Sequence, residues 1–171
     1  ASAGVLLLLI LLFIVFRNSR ERKRVNEILE AKNQEILFKS NEILDSIKYA
    51  KRLQQAILPP DAVVKKQIPD SFIFYQPKDI VSGDFYWMEV IDDVIYFAAV
   101  DCTGHGLPGA MVSVVGHNGL NRCVKEFGLT EPAKILDKLT LLVEETFEKS
   151  EDQVRDGMDI GLCKIDPSTK T

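Results

Sequence analysis

The chain has 171 residues, 46% of them hydrophobic and 27% charged, with a net charge of -4. That length allows one domain of ordinary size plus an appendage. The acidic balance argues against a nucleic-acid partner, which would ask for a basic surface. Three cysteines (Cys102, Cys123, Cys163) make an odd set without a C-x-x-C pair, so they read as reduced thiols and not as a disulfide framework or zinc site.

Residues 1–16, "ASAGVLLLLILLFIVF", carry no charge, and "RNSRERKR" follows with five basic residues and one acid. Sixteen helical residues cover about 24 Å, somewhat less than the roughly 30 Å of a bilayer core. A signal peptide would put its positive charge before the apolar run, and this order is reversed. The expectation is the C-terminal part of a transmembrane helix that starts upstream of residue 1. The basic cluster then predicts a single visible span in the cell (inner) membrane, with the remainder cytoplasmic.

Residues 17–58 form the next predicted segment, a connector. From Glu21 to Leu58 there is neither glycine nor proline, and helix formers dominate. Leu29, Ile36, Ile43, Ala50 and Ile57 recur every seven residues as d positions. The matching a positions are Asn26, Asn33, Ser40, Ile47 and Gln54, and Leu37 and Leu44 widen the stripe. Polar a residues weaken a coiled coil while fixing its register. The pattern therefore predicts a long coiled-coil-like helix joining two copies of the chain, ended by "LPP" at 58–60. A long amphipathic helix lying on its own domain is the alternative.

Residues 59–171 read as globular. "SFIFYQP" (71–77), "DFYWMEV" (84–90) and "DVIYFAAVD" (93–101) predict strands, with Asp92-Asp93 as a hairpin turn. Helical spacing follows over 108–127 and 131–150, each with proline near its start. "GMDIGLCKID" (157–166) alternates like another strand, and "DPSTKT" reads as a turn. Strands, two helices and a strand predict an α+β layered domain.

Chemistry concentrates in "SGDF" and "VDCTGHGLPGAM", where Asp84 and Asp101 stand at strand ends beside glycines. A carboxylate there, with a backbone that can approach closely, suits a hard divalent cation. Glycine beside aspartate also suits an ordinary turn. His105 reads as a loop residue with a local hydrogen bond, with metal ligation or proton donation as the sharper alternatives. Spacing does not pair it with His117. Cys102 lacks a positioned base and makes a poor nucleophile, so its carbonyl is the more useful group. Asp156 and Asp159 offer further carboxylates, or simply a turn into a strand.

"AKRLQQAILPP", "YQPKDIVSGDFYW", "VDCTGHGLPGAMVS" and "DGMDIGLCKID", in this order, resemble the SpoIIE-type branch of the metal-dependent protein serine/threonine phosphatases, bacterial relatives of the type 2C enzymes. The resemblance covers roughly residues 46–166. It implies a layered α-β-β-α sandwich, here incomplete, preceded by the transmembrane and coiled-coil-like helices. It also implies two Mn²⁺ or Mg²⁺ ions, with Asp84 ligating one, Asp101 bridging both and the Cys102 carbonyl holding the other. A metal-activated water would then attack a phosphoserine or phosphothreonine of a partner protein, such as an anti-sigma-factor antagonist. Trp87 stands where many relatives carry an acid, which is expected to alter packing more than metal binding. The family's later T-D-G element and final aspartate are not in this sequence, so the chain alone is expected to be a poor catalyst. The helix "SIKYAKRLQQAILPP" matches the family's regulatory switch helix. The competing reading is a pseudophosphatase or signalling scaffold.

Overall fold

The computed structural model describes residues 2–148 and 156–168, with side chains from Gly4 onward. They form two compact units, residues 1–46 and 47–171. The first is the leading part of helix α1 (Ser2–Ile57), where the absence of glycine and proline beyond Gly4 lets the helix run unbroken. Its apolar residues, from Val5 to Phe16 and at Leu29, Ile36, Leu37 and Ile43, are all exposed.

The expected transmembrane helix, and with it the membrane location, is overturned: among the described residues no helix is long and apolar enough to cross a membrane. Among the described residues, the uncharged stretch ends at Phe16 and five basic residues follow it at once.

The second unit takes in the last turns of α1, then α2 (Asp61–Gln67), β1 (Phe85–Ile91), β2 (Val94–Cys102), α3 (Gly106–Asn121), α4 (Pro132–Glu148) and β3 (Met158–Ile165). A π-helical turn, Arg122–Glu126, continues α3. The strands form one antiparallel sheet in the order β1-β2-β3. Asp92 and Asp93 both take positive φ, 49° and 65°, as a tight two-residue hairpin requires. The register pairs Phe85 with Val100 and Trp87 with Ala98, and β2 with β3 through Val100–Ile160 and Asp101–Asp159.

Alternation then sorts the residues by face. Phe85, Trp87, Tyr96, Ala98, Val100 and Cys102 join Val112, Leu120, Ile135 and Leu139 of the helices in the core. Ala99, Asp101, Asp159, Gly161 and Cys163 point the other way and are exposed. Trp87 is buried and serves packing, as expected of its position.

The layered α-β-β-α sandwich is therefore not what the chain forms. The described residues are mostly helical, with a single three-stranded sheet. "SFIFYQP" does not add a strand: it keeps the alternation, with Phe72 and Phe74 outward at 85% and 82% exposure, but pairs with no neighbour. Backbone without a ladder partner is not a strand, whatever its propensity. "DPSTKT" begins as a turn, the Ser168 N–H donating to Asp166 Oδ1 at 2.9 Å. Lys149, Ser150 and residues 169–171 lie outside the described residues.

Candidate metal centre

Asp84 stands one step beyond Phe85 in a register that would carry it opposite Asp101, so the hairpin itself brings the two carboxylates together. They come within hydrogen-bonding reach, and Asp84 is held above the ordinary carboxylate range by desolvation and then by the hydrogen bond and charge of Asp101. Asp159 faces Asp101 from β3. Like charges placed side by side across strands destabilise a sheet unless a cation neutralises them.

Glycines set the spacing of this site. A Cβ on Gly83 would stand 2.8 Å from the Gly104 carbonyl oxygen and 3.0 Å from that of Cys102. One on Gly109 would stand 2.5 Å from the Gly104 oxygen. Three backbones thus meet where no side chain fits: the turn before β1, the loop after β2 and the start of α3. Gly104 adds a φ of +87°, in the left-handed region.

Asp84 is fixed from both sides. Its N–H donates to Ser82 Oγ at 3.1 Å, and its carbonyl accepts from the Tyr75 hydroxyl at 3.2 Å. Ser82 is gripped in turn by Gln54 of α1, which is only 4% exposed. The Gln54 amide donates to the Ser82 carbonyl and, at 3.0 Å, to Ser113 Oγ of α3, while its oxygen accepts from the Ser82 N–H at 3.0 Å. A polar residue in the connector had shown no sign of this role in the sequence, and only its position in the resembling "RLQQAIL" stretch marked it.

The remaining candidates separate clearly. The Cys102 thiol is buried and pushed up to about 12 by desolvation, with Asp101 and Asp84 adding to the effect, so it is neither a thiolate ligand nor a nucleophile at neutral pH. Its carbonyl oxygen faces the Gly83 turn. His105 Nδ1 lies 3.0 Å from Asp79 Oδ2, a bond across 26 positions of chain in place of the local one that the loop reading expects. His117 contacts Asn121 instead. Thr103 ties the loop to Gly157, its N–H donating to the Gly157 carbonyl at 2.9 Å.

A cavity of about 1250 Å³ opens beside Asp101 and His105 and runs along Glu144, Phe147, Asp156 and Asp159. Asp84 and Asp101 fit a hard divalent ion in kind, as apposed oxygen donors. Among the described residues, no three His, Cys, Asp or Glu side chains converge to hold one.

The fold is PP2C-like. A solved structure, the SiaA-PP2C domain of Pseudomonas aeruginosa, is 30% identical in sequence and superposes with a TM-score of 0.60 over 72% of this chain. The match takes in 48% of that chain's length, so this chain spans about half of its neighbour. No family profile and no curated protein sequence matches.

Proposed function

We propose that this chain carries part of a metal-dependent protein phosphatase of the SpoIIE type, acting on phosphoserine or phosphothreonine of a partner protein. The observation that carries this reading is the apposition of Asp84 and Asp101, held by backbone contacts too close for any residue but glycine. Asp84 and Asp101, with the Cys102 carbonyl, would hold Mn²⁺ or Mg²⁺, two ions in the complete site. The ions, when bound, supply Lewis acidity that activates water and offsets charge on the phosphoryl oxygens.

The chain's own residues do the positioning. Asp101 projects from the rigid end of β2, while the Gly83–Gly104–Gly109 contact and the Gln54 clamp fix Asp84 against it. No protein nucleophile is needed, in keeping with the neutral Cys102 thiol. The groove beside Asp101 gives the substrate's flanking residues a place to lie. An anti-sigma-factor antagonist as substrate rests on the family resemblance. The exposed stripe of Leu29, Ile36, Leu37, Ile43 and Leu44 suits a parallel homodimer, through which a signal would reach Gln54.

The test is Mn²⁺-dependent phosphate release from a phosphoserine peptide by the full-length protein, beside an Asp101→Asn variant. Activity requiring both Mn²⁺ and Asp101 is expected. A folded, inactive full-length protein would favour the scaffold reading.

A further inference from the structure

In the part of α1 that belongs to the second unit, Ile47, Ala50, Gln54 and Ile57 are covered and every residue between them is exposed. Those four are the a and d positions of the heptad, and no others. The body of the unit therefore holds this stretch as a coiled-coil partner would, along one seam. Gln54 makes the fit polar: its amide donates to the Ser82 carbonyl and to Ser113 Oγ, and its oxygen accepts from the Ser82 N–H. Leu58, one residue past the helix, packs against the core. In the first unit the same seam is bare at Leu29, Ile36 and Ile43. Its a positions there are Asn26, Asn33 and Ser40. In a parallel two-stranded coil each a residue meets its own copy, so an asparagine finds an amide that both donates and accepts. That self-complementarity fits the bare seam to a second copy of this chain.

We propose that this seam has two claimants: a coil between two copies closes over Leu29, Ile36 and Ile43 but stops before Ile47, where each chain's own fold holds the next a and d residues. The inference rests on the homodimer reading above and on nothing about phosphatase activity. In a two-stranded coil the a and d side chains face the partner helix. Gln54 cannot face a second helix and grip Ser82 and Ser113 at once. Extending the coil past Ser46 therefore unclamps Ser82, whose hydroxyl accepts from the Asp84 N–H at 3.1 Å.

Two features decide between the claimants in favour of the chain's own fold. Ala50 and Gln54 would give a longer coil one small side chain and one polar one, and both fill a seam between helices poorly. On the fold, Gln54 instead has all three of its bonds. The second feature is charge. Lys48, Lys51 and Arg52 stand in a stretch, residues 46–60, that holds no acid. Closing the coil over this stretch would bring two such sets of like charges together, with Lys51 at an e position beside the seam.

The experiment is disulfide trapping in the 171-residue chain carrying Cys163→Ser, which removes the exposed native thiol and leaves the buried Cys102 and Cys123. A new cysteine is placed at Ile43 or Ala50, successive d positions, or at Tyr49, a c position on the outside of a coil. Ile43→Cys should link two copies readily, and Tyr49→Cys should not. A longer coil held as a minor state, about 0.1–10% of molecules, makes Ala50→Cys link about ten to a thousand times more slowly than Ile43→Cys. Equal rates at Ile43 and Ala50 would overturn the proposal and leave the homodimer standing. No link at Ile43, or an equal link at Tyr49, would remove the homodimer and the proposal together. Each linked dimer is then read by amide hydrogen exchange at Ser82, whose N–H is held by Gln54 at 3.0 Å. The Ile43→Cys dimer should keep the protection of the unlinked chain, and the Ala50→Cys dimer, linked by prolonged oxidation, should lose it. Protection kept in both would equally overturn the proposal. Should Ala50→Cys not fold by circular dichroism, Ile47→Cys at the neighbouring a position takes its place.

Discussion

The two ends of helix α1 obey the same heptad and meet different fates. In the first unit the polar a positions Asn26, Asn33 and Ser40 are exposed, and their helix is held locally by pairs such as Lys32–Glu35 and Lys39–Glu35, 2.7 and 3.0 Å. In the second unit Gln54, the same heptad position four turns or so later, is 4% exposed and makes three hydrogen bonds to two other segments. One repeating pattern thus served as a solvated surface in one place and as a structural clamp in the other. A polar heptad residue acquires meaning only from the neighbours the fold supplies.

The sharpest way to break this comparison is a pair of glycine substitutions. Gly109→Ala puts a Cβ against the Gly104 backbone and should cost the compact unit about 3 kcal/mol in urea unfolding, with loss of Mn²⁺ binding. Gly4→Ala meets nothing within 4 Å and should leave that unfolding curve in place.

Next in size, Gln54→Ala strands Ser82 and should cost about 2 kcal/mol by thermal melting. Asn33→Ala in the exposed part should leave the melt of the compact unit unmoved, and an equal loss from both would contradict the clamp.

A smaller effect concerns Asp84. Its carboxyl titrates high, so without metal it contributes stability below the ordinary carboxylate range that is lost as pH rises through the raised value. Asp84→Asn should therefore raise metal-free stability at neutral pH by about 0.5 kcal/mol at most, since water screens the pair, while calorimetry shows Mn²⁺ binding abolished.

Smallest is Glu35→Gln. Lys32 and Lys39 lower the Glu35 titration, and removing that charge should reduce the helical signal of the connector only at low salt.

Much of the compact unit was legible in the sequence for local reasons. The Asp92-Asp93 turn, the β-rich runs beside it and the proline-led helices were each decided by residues close in the chain. Asp84 and Asp101 were legible as a pair because the hairpin's register is itself local. What failed needed distant partners. "SFIFYQP" has strand composition but found no ladder, and the expected second layer of sheet did not form among the described residues. The apolar leader was read as the end of a span, yet among the described residues no helix is long and apolar enough to cross a membrane. Gln54 on Ser82, Asp79 on His105 and Asp159 opposite Asp101 join residues 28, 26 and 58 positions apart, and no local pattern announces them.

The hairpin also has a consequence for the order of events as the chain folds. β1 and β2 are joined by two residues, so their pairing closes a very short loop and can form on the microsecond scale. β3 must instead wait for α3 and α4, because its partner in β2 lies more than fifty residues back along the chain. Long-range pairing of this kind is the slow step in small domains. Asp84 and Asp101 belong to the early event and Asp159 to the late one. The nascent chain would therefore meet the two acids before the element that faces them, and a cation present during refolding should speed the first phase and leave the second unchanged.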